Sequence, residues 1–200
     1  MATIVLVSGS IRRDSHNTAV LDTVRRLVSA RPDGAEHRIT ALSVGLLPLY
    51  DQDLEQLDGS VAVREAKALV QQADALFIST PSYNGEMSGA LKNALDWLSR
   101  PGGNSPLTGR TVALTSASPG VRGAVDALPA LAGVLTRCGA RLVAHEPVAI
   151  GRAGALRADT GGYTDPDVIA ALNSLIDATF TAIDARRDGA IDARRVTVRA

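Results

Sequence analysis

Thr3-Ile4-Val5-Leu6-Val7-Ser8-Gly9-Ser10-Ile11-Arg12-Arg13-Asp14-Ser15-His16-Asn17-Thr18 is the stretch on which the reading of this chain turns. It begins with a short, apolar, β-branched run, the pattern of a buried strand. It then breaks into hydroxyls, one Gly, two Arg and an Asn. Beyond it, Val20, Leu21, Val24, Leu27 and Val28 recur at helical spacing, so a helix follows. Strand, polar loop and helix together form a layout that receives anions, because N–H groups at a helix start point outward with partial positive charge. Ser10, Ser15, Asn17 and Thr18 are further donors, and Arg12 or Arg13 adds a charged fork. The loop lacks the Gly-Lys-[Ser/Thr] of a P-loop and the three glycines of a dinucleotide fingerprint. Hydroxyls in place of a glycine cradle suit one terminal phosphate better than a pyrophosphate. The competing reading, that Ser15 or Asn17 only caps the helix, stays open at this level.

Working outward, the 200 residues suit one domain, expected over 1–188, with 189–200 as a flexible tail. Formal net charge is zero and aromatics make up 3%, which argues against a nucleic-acid surface, a membrane surface or a base-stacking platform. Cys138 is the single cysteine, so neither an intrachain disulfide nor a thiol metal cluster is expected. The run 4–7 is too short for a signal or a span, and no later stretch is expected to be long enough. A cytoplasmic protein is the expectation.

Further along, 37–42 reads as a second strand near a sheet edge. Residues 46–54, with Pro48, read as an ordered loop rather than a helix. Ala62, Ala66, Leu69, Val70 and Ala73 mark one face of a helix, and 75–79 a central strand. A loop over 80–89 leads to a helix containing Leu91, Ala94, Leu95, Trp97 and Leu98. Residues 111–115 form a fourth strand, 116–123 a small flexible loop, 124–138 a helix, 141–144 the start of a fifth strand, and 167–187 a closing helix. Ala182-Ile183-Asp184-Ala185-Arg186-Arg187 recurs as Ala190-Ile191-Asp192-Ala193-Arg194-Arg195, with Gly189 expected to break the helix between them. Alternating strands and helices predict an α/β, doubly wound parallel sheet of order 2-1-3-4-5 with helices on both faces. Its ligand site falls where strand order reverses, between strands 1 and 3. The loops 8–18, 80–89 and 115–123 then meet at one crevice.

These residues also carry a resemblance. Gly9-Ser10-x-Arg12-x-x-Ser15-x-Asn17 resembles the phosphate loop of the NADPH-dependent FMN reductase family. Pro81-x-Tyr83-Asn84-Gly85, continuing through Gly89-x-Leu91-Lys92-Asn93-Ala94-Leu95-Asp96-Trp97, resembles its second signature. Leu47-Pro48-Leu49-Tyr50-Asp51-x-Asp53 is similar to its loop after strand 2. The resemblance covers roughly residues 3–150, in order and in register. It implies a flavodoxin-like fold, bound FMN, and reduction by NADPH or NADH of a small acceptor such as a quinone, azo compound, chromate or free flavin. By position, Ser10, Arg12, Ser15, Asn17 and Thr18 would hold the FMN phosphate. Pro81, Ser82, Tyr83, Asn84 and Gly85 would line the ring, and Ser116, Ser118 and Gly120 would form a third wall. The family commonly forms homodimers or homotetramers. Two departures stand out: many members carry Glu at the position of Ser82, and Pro at that of Ser88. The first removes a charge from the flavin site; the second is expected to loosen the lead-in to the third helix.

The flavin carries such chemistry itself, so no side chain is needed as nucleophile or general base. His16, His37 and His145 have no carboxylate at telling spacing and read as structural or solvent-facing. Cys138 reads as a small core residue. Tyr83 packs on the ring or on a neighbouring subunit. Arg122 either reaches the 2′-phosphate of NADPH or is an exposed loop arginine. Apolar residues on more than one side of the helix around Trp97 suit a subunit interface. The alternative function is a flavodoxin-type electron carrier without its own nicotinamide site, and zero net charge speaks against it.

Overall fold

The computed structural model describes residues 1–57 and 59–197, with side chains through Gly189. Six strands form one sheet: β1 (Thr3–Ser8), β2 (Arg38–Leu42), β3 (Ala75–Thr80), β4 (Thr111–Ala117), β5 (Arg141–Leu142) and β6 (Val148–Ile150). The order is β2-β1-β3-β4-β5, with β6 also on β4, and every pairing is parallel. β2 is the edge expected from its half-exposed residues. The apolar runs of β1, β3 and β4 still obey the twofold alternation of a strand. Ile4, Leu6, Phe77 and Ala113 face one core, while Val5, Val7, Leu76, Ile78, Val112 and Leu114 face the other. Sheets buried on both sides read as continuous hydrophobic runs for this reason.

The first core is closed by α1 (His16–Ser29) and α7 (Pro166–Thr197), and the second by α3 (Val61–Gln72), α4 (Gly89–Leu98) and α5 (Leu128–Arg137). Two short helices, α2 (Gln52–Gln56) and α6 (Ala153–Leu156), lie in connections. α1, α3 and α4 each start where the sequence provides a serine cap. Ser15 accepts from the N–H groups of Asn17 and Thr18, Ser60 from Val63 and Ser88 from Leu91. Pro129 falls in the first turn of α5, where its missing N–H costs nothing.

Several expectations change. Within 46–54, Asp51 caps the short helix α2 by accepting from Asp53 N–H. The fifth strand is split. Leu142 pairs with Val112 and Val148 with Thr115, so six steps along one strand match three along its neighbour. Pro147, which has no N–H for the ladder, lies in that detour. Gly189 does not break α7, whose backbone continues to Thr197. One glycine costs a helix only about 1 kcal/mol. Side chains of the second repeat copy, 190–195, lie outside the described residues. Pro166–Gly189 is, contrary to expectation, long and apolar enough to cross a membrane by length and composition. Its Val168, Leu172, Leu175, Ile176, Phe180 and Ile183 are instead buried in the first core. Trp97 is fully buried, and its indole N–H donates to Pro48 O at 2.8 Å.

Candidate functional site

The carboxyl ends of β1, β3 and β4 are drawn together by hydrogen bonds around Asn17. Its Nδ2 donates to Ala117 O at 3.1 Å, and its Oδ1 accepts from Ala117 N–H at 3.0 Å and Ser79 Oγ at 2.9 Å. Gly9 N–H donates to Ser79 O at 2.8 Å. Ser88 Oγ donates to Gly9 O while accepting from Leu91 N–H at 3.1 Å. The chain passes close at Gly9, where a Cβ would stand 3.1 Å from the Leu91 side chain and 3.2 Å from Ser79 O. Ser88, expected to loosen the start of α4, therefore fastens it on two sides.

The expected site residues divide into two groups. Asn17, Ser15 and Ser116 are buried and turned inward. Asn17 makes the bonds above, Ser15 caps α1, and Ser116 Oγ donates to Gly123 O at 2.7 Å. Their hydroxyl or amide groups build the loops rather than face outward from them. Ser10, Arg12, Thr18, Ser82, Tyr83, Asn84, Gly85, Ser118 and Gly120 are partly or fully exposed on the three loops, and Pro81 is buried beside them. Ser10 and Thr18, with Ser8 and Ile11, line a cavity of about 480 Å³ whose other wall is 41–46. A larger cavity, about 630 Å³, is lined by Lys92, Arg100, Arg137 and Cys138. It lies near the far end of α4, away from the strand carboxyl ends, whereas the smaller cavity lies beside the loops after β1 and β2.

The β3 loop tip is a tight hairpin. Tyr83 and Glu86 exchange backbone hydrogen bonds of 2.9 and 3.1 Å, and Asn84 and Gly85 take φ of +55° and +85°. Asn-Gly is the pair that such a primed turn demands, and the turn presents Tyr83 to solvent. The β4 loop is held from behind: Ser118 N–H donates to Ile150 O, Arg152 N–H to Gly120 O and Ala153 N–H to Ser118 O. Although position 82 carries no acid, one stands there in space, for Ser82 Oγ donates to Asp126 Oδ2 at 3.0 Å.

Besides Asp126, two residues were missed at the sequence level. His16 opens α1, and its Nδ1 is buried with no hydrogen-bond partner among the described residues. Burial, with Arg12 and Arg157 nearby, holds its pKa below the usual value, against a smaller upward pull from Asp14. Arg157, from beyond β6, donates to Asp14 Oδ1 at 2.5 Å. Nothing in local spacing signals a contact across more than 140 residues. His37 and His145 are structural as expected: His37 meets Asp33, Ala2 and the Phe180 ring, and His145 meets Ser174. Cys138 follows α5 half-buried, and burial together with Asp96 pushes its thiol pKa up. Asn93 Nδ2 joins Trp97 in donating to Pro48 O, and Asn93 Oδ1 accepts from Tyr50 N–H, so these signature residues fasten the 48–50 loop.

Sheet order defines a flavodoxin-like protein. The model of the NADPH-dependent FMN reductase family matches residues 2–155, and the chain belongs to that family of oxidoreductases. It is 40% identical over 131 residues to a 2-hydroxy-1,4-benzoquinone reductase of Burkholderia sp., covering 66% of this chain and 68% of that one. It is 40% identical over 122 residues to a quinone reductase of Escherichia coli K12, covering 60% of this chain and 62% of that one. The matched stretch thus spans under two thirds of the Escherichia coli relative. The flavoenzyme NAD(P)H:(acceptor) oxidoreductase FerB of Paracoccus denitrificans superposes with a TM-score of 0.81 at 30% identity, over 92% of this chain and 98% of that one.

The residues present fit an FMN phosphate. The unpartnered His16 Nδ1, the cations Arg12 and Arg157, and the start of α1 form one donor set suited to an anion.

Proposed function

We propose that this protein is an FMN-dependent NAD(P)H oxidoreductase acting on a small acceptor. A quinone is the favoured class; azo compounds, chromate and free flavin are the neighbouring ones. The observation that carries this reading is the joining of the β1, β3 and β4 loops through Asn17, with the start of α1 and Arg12 at one side and the Tyr83–Glu86 hairpin at the other. Quinone reductases among the relatives support it. When bound, FMN supplies hydride acceptance from a nicotinamide and onward transfer to the acceptor.

Ser10, Arg12 and Thr18 bind the phosphate on this reading, flanked by His16 and Arg157. Ser15 and Asn17 act by holding the loop in shape. Pro81, Ser82, Tyr83, Asn84 and Gly85 line the ring, with Ser118 and Gly120 as a further wall and Ser116 bracing it. Donor and acceptor share one face, so the kinetics are ping-pong. We also read the protein as a cytoplasmic homodimer or homotetramer. Support comes from exposed Ile11, Leu46 and Leu49, the last on the loop that Asn93 and Trp97 fasten.

Purified protein loaded with FMN and given NADPH without oxygen tests the reading. Bleaching of the flavin absorbance, followed by return of colour on adding 1,4-benzoquinone, is expected. Bound FMN without bleaching would establish the electron carrier instead. Failure to bind FMN overturns both.

A further inference from the structure

Charge is divided along the crevice. The loop after β1 carries Arg12 and Arg13 against Asp14, whereas the loops after β3 and β4 carry Glu86 and Asp126 against Arg122. Asp126 is held in direction although solvent reaches it. Ser82 Oγ donates to its Oδ2 at 3.0 Å, and that oxygen lies 4.0 Å from where a Cβ on Gly85 would stand. Its backbone sits in the 3₁₀ turn Val125–Ala127, which begins after Ala124 at φ +64°. Just before it, Gly123 packs so closely on 150–151 that a Cβ would lie 2.7 Å from Gly151 N. A strained, tightly packed lead-in of this kind persists only where surrounding structure over-determines it. The carboxylate is therefore carried on a rigid mount and tied to Ser82, across 44 residues of chain.

We propose that Asp126 is a specificity-determining residue for the electron acceptor: its carboxylate, joined to Ser82 at the ring end of the crevice, admits neutral and cationic acceptors and repels anionic ones. The inference rests on the assignment of 81–85 to the flavin ring. A fixed charge beside an entry path selects among ligands mainly by repelling like charge. Because Asp126 is solvent-exposed, the selection is screened by salt within about 8 Å at physiological ionic strength. One screened charge–charge interaction near a surface corresponds to roughly a threefold to tenfold change in an equilibrium constant.

The test compares wild type, Asp126→Asn, Asp126→Glu and the remote control Glu65→Gln, each loaded with FMN. The first readout is equilibrium binding, without donor, of neutral 1,4-naphthoquinone and anionic 1,2-naphthoquinone-4-sulfonate. The second is the kcat/KM ratio for the same pair with NADPH. Asp126→Asn keeps an acceptor for Ser82 and removes only the charge. It is expected to raise the sulfonate-to-neutral ratio by roughly threefold to tenfold at low salt. Asp126→Glu and Glu65→Gln are expected to leave the ratio unchanged. Wild type alone is expected to lose its discrimination as salt rises, a check that needs no variant to fold. An unchanged ratio in Asp126→Asn, or wild-type discrimination insensitive to salt, overturns the proposal while FMN binding stands. Wild type that binds no FMN overturns the functional reading beneath it.

Discussion

Replacing Asn17 with Ala separates its two available roles. In the structure Asn17 is 3% exposed and makes three hydrogen bonds, two with Ala117 and one with Ser79, both themselves buried. Each is worth about 1 kcal/mol net, and a buried group left without a partner costs about 1–3 kcal/mol. Three bonds lost together give about 3 kcal/mol, with about 5 kcal/mol as the upper end. For a domain whose whole stability is about 5–15 kcal/mol, that is a large share. With a urea slope of about 2 kcal/mol per M, the unfolding midpoint of the flavin-free protein falls by about 1.5 M at unchanged slope. FMN affinity weakens alongside, because the same bonds hold the three loops in register. If Asn17 served chiefly as a phosphate ligand, the flavin-free midpoint would stay put while the FMN dissociation constant rose. A midpoint shift below about 0.5 M refutes the bracing role. Ser79→Ala, which removes one of the three bonds, is expected to cost about 1 kcal/mol, and the double variant should then cost no more than Asn17→Ala alone.

Arg12→Ala is expected to behave oppositely: loss of a charge-assisted contact weakens FMN binding by about tenfold to a hundredfold in a fluorescence titration, with flavin-free melting unchanged. Gly151→Ala places a Cβ 2.0 Å from Val121 O; we expect a loss of at least about 3 kcal/mol, or no soluble protein, and near-normal melting would disprove the close packing. Tyr163 is fully buried, and burial pushes its phenol up to about 12 from 10.0. The unfolded chain therefore releases this proton first. The stability linked to Tyr163 is complete below pH 10.0 and drains away as pH climbs toward about 12. Urea midpoints of Tyr163→Phe should decline less steeply over that window, and identical slopes would count against it.

Much of the fold was legible because its signals are local. The run Ile4–Val7, the candidate cap Ser15, and the spacing of apolar residues on each helix report only on nearby backbone. The alternation of strand and helix then leaves few topologies, and the observed order β2-β1-β3-β4-β5 is the one it favoured. Less visible were the detour at 143–147 and the run of α7 past Gly189. Pro147 falls in the first, and the second follows because a single glycine is only a weak helix breaker. The burial of Trp97 was not visible locally either. The carbonyl of Pro48, which its indole N–H meets, comes from a loop 49 residues earlier.

The sequence by itself determined which loops meet: once strands 1, 3 and 4 are neighbours, residues 8–18, 80–89 and 115–123 share one edge of the sheet. It also marked those loops as chemically unusual, through Ser10, Arg12, Tyr83, Asn84 and Gly85. Only the tertiary structure decided which of their side chains face outward and which turn in. Asn17, Ser15 and Ser116 are spent on bonds within the loops, while Arg157 reaches Asp14 and Asp126 meets Ser82 with no motif to announce them. The physical reason is the directionality of hydrogen bonds and the short reach of charge. Both are settled by distances of a few ångströms between atoms that the chain separates by tens to more than a hundred residues.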